Sequence, residues 1–119
     1  MADNHVLVVE DSDIVTSAMR VLLESAGHRV TTAASIAEAL GGARREPADL
    51  VLLDLTLPDG DGLALIEPLR AAGCDKFVAL TGHDDAATRD RCIAAGCADV
   101  LVKPVPAREL IARVAGWIS

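Results

Sequence analysis

The chain has 119 residues, 51% of them hydrophobic and 2% aromatic, with 11 basic residues against 18 acidic ones and a net charge of −7. That length and apolar content suit a single domain, 1–119, with a real core, and exclude a largely disordered chain. The acidic balance and the scarcity of aromatic rings argue against nucleic acid or an anionic membrane as partner.

In chain order, short apolar runs alternate with longer stretches of helical period. Val6-Leu7-Val8-Val9 is unbroken, as expected of a parallel strand covered on both faces. A helix comes next over Asp13–Ala26, with Ile14, Ala18, Val21 and Leu22 on one stripe and Gly27 as its stop. His28-Arg29-Val30-Thr31-Thr32 is less apolar and reads as an edge strand. Ser35 is the expected N-cap of a second helix, with Glu38 completing a capping box; Gly41-Gly42 weakens that helix and Glu46-Pro47 ends it. Leu50-Val51-Leu52-Leu53 is the next strand. A third helix is expected over Gly62–Ala72, with Pro68 costing it a hydrogen bond and bending it. Phe77-Val78-Ala79-Leu80 is a strand, Asp84–Ala95 a helix ended by Gly96, and Val100-Leu101-Val102 the last strand. Pro106–Ile118 is the fifth helix, with Pro106 in its first turn. Alternation of this kind predicts an α/β fold: a doubly wound, five-stranded parallel sheet with five helices, commonly in the order 2-1-3-4-5.

No apolar run reaches the ~20 residues of a membrane helix. Met1-Ala2-Asp3-Asn4-His5 lacks a basic segment leading into an apolar one, so no secretory leader is expected. Cys74, Cys92 and Cys97 lack metal-type spacing and read as small buried hydrophobes, free thiols in a reducing cytoplasm. His5 and His28 read as surface or strand-edge residues.

The informative pattern lies in the polar residues that end the apolar runs: Glu10-Asp11, Asp54, Thr81 and Lys103. Parallel strands end at one edge, where open α/β sheets bind ligands. If Glu10, Asp11 and Asp54 sit about 5 Å apart, each like-charge pair costs on the order of 3 kcal/mol at an effective dielectric near 20. Hard oxygen donors of this kind favour Mg²⁺. The alternative is that Glu10 and Asp11 only cap the first helix. Asp54, between Leu53 and Leu55, does not fit a purely structural role without a buried partner. Lys103, one of two lysines in the chain, wants an anion; a structural salt bridge to Asp54 is its plainer reading. Thr81 offers a hydroxyl, with Gly82 beside it.

Together these are the parts for phosphoryl transfer onto an aspartate, with Asp54 as nucleophile and Thr81 and Lys103 neutralising the phosphoryl oxygens. No Gly-rich phosphate loop is present, so the phosphoryl donor must bring its own binding surface. An EF-hand reading of Asp59-Gly60-Asp61-Gly62 fails because the fifth loop position would be Leu63.

The motifs Val8-Val9-Glu10-Asp11-Ser12, Leu52-Leu53-Asp54 through Pro58-Asp59-Gly60-Asp61-Gly62, Leu80-Thr81-Gly82 and Val102-Lys103-Pro104 resemble the receiver domains of two-component response regulators, chemotaxis-regulator-like, from Val6 to Ile118. The resemblance implies a flavodoxin-like receiver fold and a cytoplasmic phospho-acceptor. Asp54 would accept a phosphoryl group from a phosphohistidine on a histidine kinase or histidine phosphotransfer protein. Asp11, Asp54 and the Thr56 carbonyl would hold Mg²⁺, with Glu10 acting through water. Thr81 and Lys103 would contact the phosphoryl group with the N–H groups of Leu55 and Gly82, Lys103-Pro104 would be cis, and Thr56 and His83 would flank the site. Such a domain catalyses only its own phosphorylation and dephosphorylation, and is not otherwise an enzyme. A downstream effector would use the face of helix four, strand five and helix five, which carries Arg89, Arg91, Arg108 and Arg113. The chain departs from the family at Val100, where Tyr or Phe is usual. That motivates an alternative, a phosphorylation-independent interaction module on the same fold. A Mg²⁺ phosphoester hydrolase is a third reading, disfavoured because Thr56 stands where a second carboxylate would serve as general acid.

Overall fold

The structure, a computed structural model, describes residues 4–118. The leader expectation rests mainly on Met1, Ala2 and Asp3, which lie outside the described residues. Five strands, β1 (His5–Val9), β2 (Arg29–Ala33), β3 (Leu50–Asp54), β4 (Lys76–Thr81) and β5 (Asp99–Val102), alternate with five helices, α1 (Asp13–Ser25), α2 (Ile36–Arg45), α3 (Ile66–Ala71), α4 (Ala86–Ala95) and α5 (Ala107–Ile118). All neighbouring strands of the sheet run parallel, in the order β2-β1-β3-β4-β5, the order expected. A two-residue ladder, Thr56–Leu57 against Gly60–Asp61, stands apart from the sheet and carries no strand number.

The unbroken apolar runs are explained by burial on both faces. Val6, Val8, Leu50, Leu52, Val78, Leu80 and Leu101 pack with Met19 and Leu23 of α1 and with Leu110 and Val114 of α5. The alternate residues Leu7, Val9, Val51, Leu53, Phe77, Ala79 and Val100 pack on the other face with Ala39 and Ala43 of α2, Ile66 and Leu69 of α3 and Cys92 of α4. Each fully buried large side chain contributes roughly 1.5–3 kcal/mol, so the sheet is held from both sides. Cys74, Cys92 and Cys97 are buried free thiols, as expected. Burial pushes the Cys97 thiol up to about 12, which leaves it protonated and unreactive. No helix among the described residues is long and apolar enough to cross a membrane.

The structure corrects three expectations. The third helix is split: a 3₁₀ turn over Gly62–Leu65 leads into α3 at Ile66. Pro68 therefore sits in the first turn of α3, where a missing N–H is tolerated. Pro106 lies just ahead of α5 rather than inside it, and its carbonyl accepts the Leu110 N–H at 2.9 Å. His5 is not a surface residue but 3% exposed. Its ring bonds the Pro47 carbonyl through Nδ1 at 3.0 Å and the Thr31 hydroxyl through Nε2 at 2.8 Å, so both ring nitrogens are satisfied in the core. The edge position of β2 is as expected, with half-buried His28 just before it.

Gly62 ties the fold to the end of β3. A Cβ built on it would lie 1.9 Å from the Asp54 carbonyl oxygen and 2.9 Å from its carbon. Gly41, mid-helix in α2, would meet nothing within 4 Å. Gly62→Ala is expected to lower unfolding stability by about 1–3 kcal/mol. Gly41→Ala should raise it by about 0.5–1 kcal/mol. Urea titration of the two variants checks both signs.

Candidate functional site

Strand register assembles the site. Val9 is level with Leu53 across β1 and β3, so Glu10 and Asp11 emerge beside Asp54. Asp54 is level with Leu80, so Thr81 emerges one step on. Thr81 is level with Val102, which brings Lys103 to the same edge. Segments 93 and 49 residues apart in sequence thereby meet: Lys103 Nζ donates to Glu10 Oε1 at 2.9 Å and to Asp54 Oδ2 at 3.2 Å. The Lys103-Pro104 peptide is cis.

The remaining oxygens of the two buried carboxylates are also held. Ser12 N–H donates to Glu10 Oε2 at 3.1 Å and Thr56 N–H to Asp54 Oδ1 at 3.1 Å. Glu10 and Asp54 are buried and Asp11 is exposed. The helix-cap alternative for Glu10 and Asp11 fails, because Ser12 is the N-cap of α1 and its Oγ accepts from Val15 N–H. Thr81 is 3% exposed and its Oγ1 accepts the His83 N–H at 3.0 Å. The Leu55 N–H is not free for a phosphoryl group as expected: it donates to Leu80 O at 3.3 Å. The neighbouring Thr56 N–H is the one that reaches the Asp54 carboxylate.

Glu10, Asp11 and Asp54 each place a carboxylate oxygen within 4.8 Å of the others. Three hard, anionic oxygens converging this closely fit a small divalent cation such as Mg²⁺. Against three carboxylates the site sets the one ammonium of Lys103, so most of the negative charge remains for a cation to offset. Lys103 feels two opposed effects. Burial pulls its pKa down, but the hydrogen bonds and charges of Glu10 and Asp54 outweigh that and hold it above the ordinary lysine value of 10.5.

All sequence-derived site residues, Glu10, Asp11, Asp54, Thr56, Thr81 and Lys103, line one cleft, with His83 beside them. The cleft also takes in Thr88 and Arg91, which the sequence does not place there. Arg91 turns from the expected effector face toward the cleft, with Nη1 2.8 Å from Asp61 Oδ2. The i, i+3 spacing of Thr88 and Arg91 puts them on one face of α4, but local sequence does not say which way that face points. The remaining acid of the Asp59–Asp61 segment, Asp59, is structural. Asp59 accepts from the Ile36 and Ala37 N–H groups at the start of α2, at 2.9 and 3.2 Å.

The raised pKa gives Lys103 a defined pH signature. Its pairing is fully stabilising below its unfolded pKa and is lost as pH rises through the higher folded one. The stability gap between wild type and Lys103→Met should therefore narrow above about pH 10.5. Denaturant midpoints between about pH 7 and 11.5 read this out; a constant gap would show that the ammonium's charge contributes nothing.

The family model of the response regulator receiver domain matches residues 6–115. The chain is 36% identical over 110 residues to the KDP operon transcriptional regulatory protein KdpE of Escherichia coli (strain K12), covering 92% of this chain and 49% of that protein. It is 32% identical over 111 residues to the TorCAD operon transcriptional regulatory protein TorR of Escherichia coli O157:H7, covering 93% of this chain and 48% of that one. The chain thus spans about half the length of the curated relatives it matches. Among solved structures, a response regulator from Chloroflexus aurantiacus superposes with a TM-score of 0.89 at 30% identity, covering 98% of each chain. The receiver domain of sensor histidine kinase PA1611 from Pseudomonas aeruginosa, with magnesium coordinated in its active site cleft, superposes at 0.85 with 32% identity and the same coverage. With strand order, cleft residues and sequence in agreement, this chain belongs to the response regulator receiver domain family of two-component signalling.

Proposed function

We propose that this domain is a Mg²⁺-dependent phospho-acceptor switch and that Asp54 is the residue phosphorylated. The observation that carries the reading is the convergence of Lys103 on Glu10 and Asp54 from three separate strands. In the transfer, an O–P bond forms at Asp54 while the N–P bond of the donor phosphohistidine breaks. The leaving imidazole keeps the electron pair and takes up a proton. Lys103 and the Thr81 hydroxyl stand beside Asp54 to meet the negative oxygens of the transferring group. Glu10, Asp11 and Asp54, with the Thr56 carbonyl, would hold Mg²⁺, which supplies positive charge against those oxygens. The domain catalyses its own phosphorylation and dephosphorylation and turns over no separate substrate.

The donor is a histidine kinase or histidine phosphotransfer protein in the cytoplasm. An apolar groove supports a protein donor: Ile14, Val15, Ala18 and Leu22 of α1 face Pro104 and Val105, with Lys103 as the shared wall with the cleft. Ile14 is 84% exposed. A second reading, phosphorylation-independent binding, draws on Val100, which is buried in the same core cluster as Phe77 and Ala79 and offers no ring to swing.

Incubation with acetyl phosphate and Mg²⁺ should add one phosphoryl group by intact mass, and Asp54→Asn should add none. An unchanged mass in folded, metal-supplemented wild type would reject the reading, and undiminished effector binding by Asp54→Asn would favour the second one. Ile14→Glu should slow transfer from a phosphorylated histidine phosphotransfer protein by about tenfold while leaving the acetyl phosphate rate unchanged. Equal rates from the protein donor would remove α1 from the docking surface.

A further inference from the structure

Two cations line the cleft among the described residues, and they are committed differently. Lys103 is bound by two carboxylates whose side chains are 2% and 10% exposed. Arg91 is held by Asp61, and both side chains stand half in solvent, 54% and 48% exposed. An exposed pair of this kind shifts a local equilibrium by no more than about fivefold. A phosphoryl group on Asp54 would bring close to two negative charges and three acceptor oxygens into the same cleft. A guanidinium meets such oxygens in a bidentate fork, and does so more strongly where water is partly excluded. The competition between a solvent-exposed monoanion and a cleft-bound dianion therefore runs toward the dianion.

We propose that Arg91 is a second phosphoryl-binding cation, held on Asp61 until a phosphoryl group arrives, and that its transfer to the phosphoryl oxygens couples Asp54 to α4. The inference rests on Asp54 being the acceptor. The segment that carries Asp61 is anchored on its other side, since Asp59 holds the Ile36 and Ala37 N–H groups of α2. Release of Arg91 thus frees the α4 side of the cleft and leaves the α2 side in place. Asp61 keeps a second duty throughout, accepting the Leu63 N–H at 3.0 Å through Oδ1. The coupling runs over the surface of the cleft and asks nothing of Val100, which is packed in the core.

The test is phosphorylation by acetyl phosphate with Mg²⁺, in which the Asp54 oxygen bonds phosphorus, the P–O bond to the acetyl group breaks and acetate leaves with the electron pair. Arg91→Ala should raise the KM for acetyl phosphate by about tenfold, and Arg91→Lys should recover part of the loss. Asp61→Asn keeps the acceptor for Leu63 but releases Arg91, so it should lower the KM. Arg89→Ala, on the same helix, should match wild type. Hydrogen exchange across residues 86–95 should change on phosphorylation in wild type and not in Arg91→Ala. A structural ion pair would move Arg91→Ala and Asp61→Asn in the same direction, and that result, or an Arg91→Ala variant matching wild type in KM and exchange, overturns the proposal. A wild type that takes up no phosphoryl group overturns the Asp54 reading itself.

Discussion

The ammonium of Lys103 is the contact on which the site depends. Glu10 is 2% exposed, and a carboxylate that deep is tolerated only when paired and hydrogen-bonded. Lys103 supplies the charge and Ser12 N–H the second hydrogen bond. The same ammonium reaches Asp54, so one side chain from the end of β5 ties together the ends of β1 and β3. The arrangement is incomplete in charge. Among Glu10, Asp11 and Asp54 the ammonium of Lys103 fixes the geometry but does not neutralise it, and the negative charge that remains favours a divalent cation.

The sheet is legible in the sequence because its physics is local. A run such as Val6–Val9 or Leu50–Leu53 has no polar face, and only a strand covered on both sides accommodates that. The site is legible for a related reason: polar residues that break off such runs must lie at the strand ends, and parallel strands share one end. His5 escapes this logic because its partners are not local. A polar residue at the start of a strand looks peripheral, yet β2 brings Thr31 and the approach to β3 brings Pro47 to its ring. Arg91 escapes it for a different reason. In α4 the stretch Thr88-Arg89-Asp90-Arg91 is polar all round and Cys92 is the helix's buried residue, so no apolar stripe says which face turns inward. The third helix looks whole because Gly62–Ala72 has helical composition, yet its first turn is 3₁₀ and begins at Gly62, which passes against the Asp54 carbonyl.

That close passage joins stability to function. The backbone of Asp54 is clasped from outside by Gly62, whose N–H also donates to Leu55 O at 2.9 Å, while its carboxylate is set by Lys103 and Thr56. Asp54 is thus fixed through both its backbone and its carboxylate. Preorganisation of this kind sets the carboxylate in place, whereas Arg91 and Asp61 are joined by a half-exposed ion pair.

The opposite face of α4 shows the contrast. Asp99, at the start of β5, is shared by Arg89 of α4 and Arg113 of α5, and the Arg113 guanidinium lies over the Trp117 ring, 5.3 Å from its centroid. Burial pushes the Asp99 carboxyl up, but the Val100 N–H and the two guanidiniums outweigh it and hold the group below the ordinary value of 3.8. Its pairing therefore stabilises above that value and is lost only as pH falls through the lower folded pKa, so near neutrality the network is fully formed. On this face Arg89 and Arg113 are already paired within the chain through Asp99. On the cleft side, by contrast, the arginine of α4 has only an exposed aspartate to leave. The helix is thus tied by Arg89 to a largely buried aspartate on one side and by Arg91 to a half-exposed one on the other, and the second pair is the one that borders the cleft holding Asp54.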